Sequence, residues 1–356
     1  MTFLSVSFNV QRLVPSTLSA ILVLGTLAGC STVKSTQSNA DNLQNSSQPA
    51  ANSTDATQQV VRIGYVRWGL LPIARERKVL EETLAKQNIK VEWVGPFPAF
   101  APVLEAVNAG EVDFTSGGDI PGISGLVGGT PVCIIGYQAP IPEAEAILVR
   151  SDSSIQTPKD LIGKKVAVNR GGWGEHLLLK VLAKANVPKE KVERVYLSPT
   201  DALPAVTQGH IDAWSVWDPN VAIAEAQHNL RPIASGDAAS HYGIYMVQRD
   251  FLAQKPDVVK AVLDTIVSEA EWAASNRQAA AAAFGKAAQL EPAVVDQLGQ
   301  RRIVEKLLPL NASIVSDLQN RADWMFEQKA VPKQIDLKQS VCPRTANLEK
   351  YTAFQP

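Results

Sequence analysis

Three short turns at predicted strand-to-helix junctions contain residues suited to binding a small anion. Glycine allows the backbone to approach a ligand closely, and the start of a helix presents unpaired N–H groups with a partial positive charge. Two such turns facing each other across a cleft would hold an oxyanion without a fully charged side chain. The alternative is that the glycines only make tight turns. The candidate residues are Gly117, Gly118, Asp119, Gly171, Gly172, Trp173, Gly174, Glu175 and Asp218.

Two tryptophans precede the third turn, which begins at Asp218. Residues 213–217 are rich in aromatic and β-branched side chains and are predicted to form a strand. Trp214 and Trp217 lie on opposite faces of that strand, so we expect Trp214 in the core and Trp217, nearer the strand's end, against the ligand. Asp218 is predicted to be the N-cap of the next helix. Trp68, in a predicted loop, is a further candidate for an apolar wall.

Catalysis finds little support in the sequence. The four histidines have no recognisable nucleophile partner, and no Gly-x-Ser-x-Gly motif occurs. No cysteine or histidine spacing is typical of a metal site. His176, on the predicted first turn of a helix, is the histidine that could belong to a site, whereas His210 and His228 are expected at the surface. We therefore predict a protein with no catalytic residue, no metal and no cofactor.

Composition sets the broad class. With 356 residues the chain is long enough for two domains with cores of their own. Its 34 Lys and Arg residues nearly balance its 35 Asp and Glu residues. Nucleic-acid binding requires a basic surplus or stripe, so no nucleic-acid partner is expected.

The N-terminus is predicted to be a secretory signal over residues 1–30. An apolar run follows Arg12, and Leu-Ala-Gly precedes Cys30, as in a bacterial lipobox. We expect cleavage before Cys30 and a lipid on its thiol; an ordinary signal cut elsewhere is the alternative. Residues 31–59, dominated by small and polar residues, are predicted to be a disordered tether. The mature protein would then be anchored in the cell envelope by its lipid, without spanning the membrane.

Two further cysteines remain after Cys30. Cys133 lies in a pattern typical of a buried strand, which favours a buried free thiol. Export would also permit a disulfide between Cys133 and Cys342, and the sequence leaves that alternative open.

Strand-like and helical runs alternate along the chain from residue 60, which indicates an α/β fold. Two short strand-like runs, near residues 145–149 and 242–247, bracket the middle third. A chain that leaves one domain and later returns to it would cross twice at such places. We predict a discontinuous first lobe, residues 60–144 and 246–356, a second lobe, residues 145–245, and a ligand cleft between them.

The chain resembles the periplasmic substrate-binding proteins of ABC importers, in the group for aliphatic sulfonates, taurine and nitrate. Its most specific matching run is Ala-Trp-Ser-Val-Trp-Asp-Pro at residues 213–219, and shorter runs include Gly-Asp-Ile-Pro at 118–121. The resemblance covers roughly residues 60–342 and is strongest to the aliphatic-sulfonate binders. It implies a two-lobed type II binding protein with two hinge crossings, a small organosulfonate ligand, a permease partner in the cytoplasmic membrane and a monomeric state.

Two departures from that group bear on the substrate. Sulfonate binders usually have Ser-Thr-Gly-Asp where this chain has Ser-Gly-Gly-Asp at residues 116–119, and a Ser-rich second turn where this chain has Trp173 and Glu175. Glu175 would favour a ligand that also carries an ammonium group, as taurine does; the alternative is that it only complements the helix dipole. Taurine, nitrate, another small organic anion and a heteroaromatic ligand stay open, and an enzyme on the same fold is least favoured.

Overall fold

The computed structural model describes residues 58–239, 241–343 and 351. The predicted signal peptide, the lipid attachment at Cys30 and residues 31–57 of the predicted tether lie outside these residues. The first strand begins at Gln59, one residue before the predicted start of order. No helix among the described residues is long and apolar enough to cross a membrane.

Strands and helices alternate through most of the chain, as predicted. The strands are β1 (Gln59–Val66), β2 (Ile89–Phe97), β3 (Phe114–Gly118), β4 (Val132–Gln138), β5 (Glu145–Arg150), β6 (Lys165–Val168), β7 (Glu193–Tyr196), β8 (Ala213–Trp217), β9 (Leu230–Ser235), β10 (Gly243–Gln248) and β11 (Leu307–Leu308). The helices are α1 (Leu70–Glu76), α2 (Val79–Ala85), α3 (Phe100–Asn108), α4 (Asp119–Gly128), α5 (Trp173–Lys184), α6 (Pro199–Thr207), α7 (Asn220–His228), α8 (Arg249–Gln254), α9 (Pro256–Ser275), α10 (Arg277–Ala288), α11 (Pro292–Gln300) and α12 (Ala312–Glu327).

The strands form two mixed sheets. The first has the order β11-β4-β10-β3-β1-β2, with β1 parallel to β2 and β3 and with β10 antiparallel to β3 and β4. The second has the order β7-β6-β8-β5-β9, with β6 parallel to β7 and β8 and with β5 antiparallel to β8 and β9. The chain passes from the first sheet to the second after β4 and returns after β9. The predicted two-lobed α/β fold with two crossings is confirmed.

Hydrophobic cores form separately around the two sheets. Strands such as β4 and β5 are buried along nearly their whole length, as expected when helices cover both faces of a sheet. The helices that follow β10 pack on the first sheet, and α5, α6 and α7 pack around the second. The predicted limits of the lobes stay a prediction; β10, which pairs in the first sheet along its whole length, spans the predicted boundary at residues 245/246.

Three local expectations differ from the structure. The sequence of residues 71–87 predicts one helix, whereas the structure has two, α1 and α2, because Lys78 between them adopts a left-handed conformation at the N-cap of α2. Strand β9, at the edge of the second sheet, was not predicted. Cys133 is not a free thiol: its sulfur is bonded to that of Cys342, 209 residues later, with 4.8 Å between the Cα atoms. The bond joins β4 to the C-terminal segment, two parts of the chain whose contact no local pattern indicates.

Candidate functional site

A cleft of about 1420 Å³ is lined by loops and helix starts that belong to both sheets. The first sheet contributes the segments after β1 and β3, and the second contributes those after β6 and β8. Most of the candidate ligand-binding residues line it, namely Trp68, Gly117, Gly118, Gly171, Gly172, Trp173 and Trp217. The others, which are Asp119, Gly174, Glu175 and Asp218, are not part of the lining. Ligand contact by any of these residues stays a prediction.

Gly117 and Gly118 are required by the aromatic rings packed against them. A Cβ atom on Gly117 would lie 2.2 Å from the ring of Phe100, and one on Gly118 would lie 2.5 Å from Nε1 of Trp173. Real Cβ atoms do not approach other heavy atoms so closely. A hydroxyl-bearing side chain at either position would therefore collide with these rings, and at Gly117 this fits the absence of the threonine that the sulfonate binders usually have there.

Asp119 is a buried junction between the two lobes, and it does not face the cleft. It is fully buried and accepts hydrogen bonds from Nε1 of Trp173 at 2.9 Å and from the backbone N–H of Tyr242 at 3.0 Å. Its second carboxylate oxygen also lies 2.9 Å from Nε of Arg321 on α12. Asp119 begins α4 beside the first sheet and Trp173 begins α5 beside the second, so the bond between them links the two lobes.

The turn before α5 uses most of its own hydrogen-bond donors. The backbone oxygen of Asn169 accepts a hydrogen bond from the backbone N–H of Gly172 at 3.3 Å. Its side-chain oxygen accepts one from the backbone N–H of Gly174 at 3.2 Å. Glu175 accepts from the backbone N–H of Gly171 at 2.8 Å. The predicted cradle of free N–H groups is therefore smaller than the glycine pattern suggests.

The carboxylate of Glu175 is also bound by side chains of β7 and does not line the cleft. Its other carboxylate oxygen accepts from the guanidinium of Arg194 at 2.9 Å and from the hydroxyl of Tyr196 at 2.8 Å. A carboxylate with these partners is already neutralised and has little to offer an ammonium group. The structure therefore does not support contact with an ammonium group. Glu175 lies in the first turn of α5, as the helix-dipole alternative expects, closes the turn internally and pairs with strand β7.

Trp214 and Trp217 occupy the two faces of β8 as predicted. Trp214 is buried, whereas Trp217 is half-buried and lines the cleft. The ring of Trp217 meets that of Trp173 edge to face, with 6.4 Å between centroids. Edge-to-face contacts of this kind fix the orientation of both indoles.

The N-cap assignment of Asp218 is wrong by one residue. Helix α7 begins at Asn220, and Pro219 is its N-cap, joined to Asp218 by a cis peptide bond. The fully buried Asp218 carboxylate still accepts the backbone N–H of Ala222 at 2.9 Å, and it lies 3.3 Å from the guanidinium of Arg301. Burial raises the pKa of Asp218 to about 7, although the charge of Arg301 opposes the rise. Asp218 is thus a structural group beneath the cleft.

A buried chain of three polar residues beside the cleft was not predicted. His241 lines the cleft, stacks on Trp173 at 5.1 Å between centroids, and is hydrogen-bonded through Nδ1 to Glu145 at 2.5 Å. Its Nε2 lies 2.6 Å from Nδ1 of His176. Glu145 begins the strand after the first crossing, and His241 ends the second crossing, so this bond ties the crossings together. Sequence gave no signal for it, because the partners are 96 residues apart.

The protonation of this chain follows from burial. Burial raises the pKa of Glu145 above its usual range, with the His241 charge acting against the rise. Burial lowers the pKa of His176 to about 2, helped by the nearby His241, Lys180 and Arg321. His176 is therefore neutral, and its buried Nε2 has no hydrogen-bond partner among the described residues.

Arginines give the cleft its positive charge. Arg67, Arg75 and Arg170 line it, and none of the three pairs with a carboxylate among the described residues. The guanidinium of Arg170 lies 3.7 Å from the ring centroid of Tyr196, which holds it in place. Three carboxylates also line the cleft: Glu145 binds His241, Glu305 pairs with Arg302, and the exposed Glu105 has no ion-pair partner among the described residues. The three arginines favour an anion as ligand. No sequence motif marks them, so they could not be predicted as a group.

The described residues contain no group of His, Cys, Asp and Glu side chains that could hold a metal ion. Hydrogen-bond donors, arginines and aromatic rings are the groups that this cleft offers to a ligand. Such a set can bind and enclose a small organic anion.

Comparison with known proteins places the chain in a family. Residues 69–280 match the family described as NMT1/THI5 like. An aliphatic-sulfonates-binding protein from Escherichia coli (strain K12) is 32% identical over 293 residues, which cover 82% of this chain and 91% of that protein.

Solved structures agree with the sequence comparison. The periplasmic aliphatic sulphonate binding protein SsuA from Escherichia coli has a TM-score of 0.73 at 32% identity, over 81% of this chain and 93% of that one. The alkanesulfonate-binding protein SsuA from Xanthomonas axonopodis pv. citri, solved bound to MOPS, has a TM-score of 0.72 at 30% identity, over 79% of this chain and 97% of that one. The chain belongs to the NMT1/THI5-like family and, within it, to the family of the aliphatic-sulfonate-binding proteins.

Proposed function

We propose that this protein is the substrate-binding component of an ABC importer and captures an organosulfonate of the aliphatic type for uptake as a sulfur source. The observation that carries the proposal is the cleft between the lobes, in which Arg67, Arg75 and Arg170 have no carboxylate partner among the described residues. A sulfonate is a permanent anion with three acceptor oxygens, and arginine presents donors in a geometry that suits it. Relatives over most of the chain are named for binding the same class of compound.

Capture would work by closure of the lobes over the ligand. The bond from Trp173 to Asp119 already joins α5 of one lobe to α4 of the other. Closure excludes water, which strengthens each contact between the arginines and the anion because the local dielectric constant falls. The closed form would then dock on a permease in the cytoplasmic membrane. The protein would act as a monomer in the periplasm or cell envelope, held to a membrane by the lipid on Cys30.

Taurine is disfavoured by the position of Glu175. The carboxylate that would meet its ammonium group is bound by Arg194 and Tyr196 and lies outside the cleft lining. Nitrate is disfavoured by the size and aromatic lining of the cleft, since a planar inorganic ion needs neither. An enzymatic role is disfavoured because the relatives over most of the chain are named as binding proteins.

Calorimetric titration of the purified protein with ethanesulfonate, taurine, nitrate and bicarbonate tests the proposal. We expect ethanesulfonate to bind with one site per chain, and Arg170→Gln to weaken it by about tenfold, the loss of one charge-assisted contact. Arg249→Gln is the matched control, because Arg249 is exposed and donates to the backbone oxygen of Gln339 outside the cleft. Failure of every sulfonate to bind, or breakdown of a bound ligand during incubation, would contradict the proposed function.

A further inference from the structure

The cleft contains more fixed aromatic surface than a short alkyl chain needs. Trp68 after β1, Trp173 at the start of α5 and Trp217 at the end of β8 all line it. They come from three separate segments and from both lobes.

Each of these indoles is held by contacts within the protein. Trp68 meets Phe284 edge to face at 5.4 Å between centroids, and Trp217 meets Trp173 in the same way at 6.4 Å. Trp173 is fixed further by stacking on His241 and by its hydrogen bond to Asp119. Rings that are already oriented lose little conformational freedom when a ligand packs against them, so they are efficient contacts for another ring.

The cleft offers few backbone and side-chain hydrogen-bond donors, apart from its arginines, to an anionic head group. The N–H groups of Gly171, Gly172 and Gly174 are used within the turn, and Phe100 and Trp173 leave no room for a side chain on Gly117 or Gly118. Affinity must then come from the arginines and from the organic part of the ligand. With about 1420 Å³, the cleft also exceeds the roughly 300–1,000 Å³ of typical small-molecule pockets, so a ring-sized group has room.

We propose that the organic part of the ligand carries an aromatic ring, packed against Trp68 and Trp217, while its sulfonate faces Arg170. The inference rests on the proposed function, because it specifies the organic part of the same ligand. It predicts that three sulfonates with the same alkyl head are ranked by their tails: 2-phenylethanesulfonate first, 2-cyclohexylethanesulfonate second and ethanesulfonate last.

Calorimetric titration of the purified protein with these three compounds is the test. We expect 2-phenylethanesulfonate to bind at least about tenfold more tightly than ethanesulfonate, from the area that the ring buries, and several-fold more tightly than the cyclohexyl compound, from ring–ring contacts. Trp217→Leu and Trp68→Leu keep apolar bulk and should each reduce the phenyl preference, which is the ratio of the affinities for 2-phenylethanesulfonate and ethanesulfonate. Trp217→Phe keeps an aromatic ring and should retain most of the phenyl preference. It therefore separates loss of the ring from a failure to fold in Trp217→Leu.

Trp272→Leu is the matched control, because Trp272 stacks on Arg77 and does not line the cleft. It should leave all three affinities unchanged. The inference is wrong, and the proposed function survives, if ethanesulfonate binds and the phenyl compound binds no more tightly than ethanesulfonate. The same holds if the cyclohexyl compound binds as tightly as the phenyl compound. If none of the three binds, the proposed function fails and the inference fails with it.

Discussion

Trp173 lies in the turn where this chain departs from the Ser-rich sequence of the sulfonate binders. The indole crosses between the lobes to Asp119 and lies against Gly118, where any side chain would collide with it. The indole and the glycine therefore depend on each other. A change at Gly118 should act through Trp173 and not through a lost hydrogen bond of its own.

Gly118→Ala tests this dependence. The added methyl would meet Nε1 of Trp173 at 2.5 Å, so we expect the indole to move from Asp119 and the free energy of unfolding to fall by about 1–3 kcal/mol. Gly128→Ala, at the other end of the same helix, is the control, because nothing lies within 4 Å of its added methyl. Urea unfolding of both variants measures the difference. Equal stability in the two variants would contradict the role given to Gly118.

Glu175→Gln tests the assignment of Glu175 to the turn. Because its carboxylate binds Arg194 and Tyr196, we expect the substitution to lower the free energy of unfolding by about 1 kcal/mol. It should change the affinities for taurine and for ethanesulfonate by the same factor, as measured by calorimetry. A selective loss of taurine affinity would show that the carboxylate meets the ammonium group after all.

At the scale of elements, sequence patterns predict local structure better than contacts between distant segments. Strand β8 lies over the predicted residues 213–217, because its aromatic and β-branched run has clear limits. The break between α1 and α2 was missed, since the left-handed conformation of Lys78 has no strong signature in a lysine.

In the candidate site too, local features could be predicted from sequence, whereas contacts between distant segments could not. The glycine turns were recognisable from sequence because they follow strands, and the structure brings Gly118 and Gly172 to one cleft. The burial of Asp119 and the contact of His241 with Glu145 could not be predicted, because each depends on segments that meet only in the folded protein. Charge alone made Glu175 look available, and only the fold shows that Arg194 occupies it.

The start of α7 has a pH dependence that follows from Asp218. Its pKa is about 7 in the folded protein, above the ordinary value of 3.8, so the folded state holds this proton more tightly than the unfolded state. The resulting stabilisation is complete below about pH 4 and is lost as the pH rises through about 7. The contribution of Asp218 to the free energy of unfolding should fall by about 1.4 kcal/mol per pH unit over that window.

Asp218→Asn removes the titrating group while keeping an acceptor for the N–H of Ala222. We expect the difference in free energy of unfolding between wild type and variant to change steadily from pH 4 to pH 7, measured by urea unfolding at several pH values. Other buried carboxyls such as Glu145 titrate in both proteins and cancel in this comparison. A difference that is independent of pH would contradict the raised pKa.

At the scale of the whole molecule, the disulfide fastens the C-terminal segment to the first sheet. Cys133 and Cys342 enclose a loop that includes the entire second sheet, so the bond restricts the unfolded chain strongly. We expect reduction, or the double substitution of both cysteines by alanine, to lower the free energy of unfolding by about 2–5 kcal/mol. Thermal unfolding with and without a reductant measures the effect. An unchanged midpoint would show that the bond does not contribute in solution.

The binding function depends on two lobes that are joined by two crossings of the chain. The Glu145–His241 bond ties the crossings together, and the Trp173–Asp119 bond joins the lobes beside the cleft. The arginines and indoles of the cleft are thus placed by contacts that belong to the whole molecule and not to any one segment. The central claim is that an organosulfonate binds between the lobes.

The position of the ligand's sulfur tests that claim most directly. Crystals of the protein grown with 2-phenylethanesulfonate or ethanesulfonate allow the sulfur to be located by its anomalous scattering. We predict one sulfonate sulfur in the cleft, facing Arg170, with the organic part directed toward Trp217. A sulfur bound elsewhere on the surface, or an empty cleft at a saturating concentration of either compound, would contradict the account.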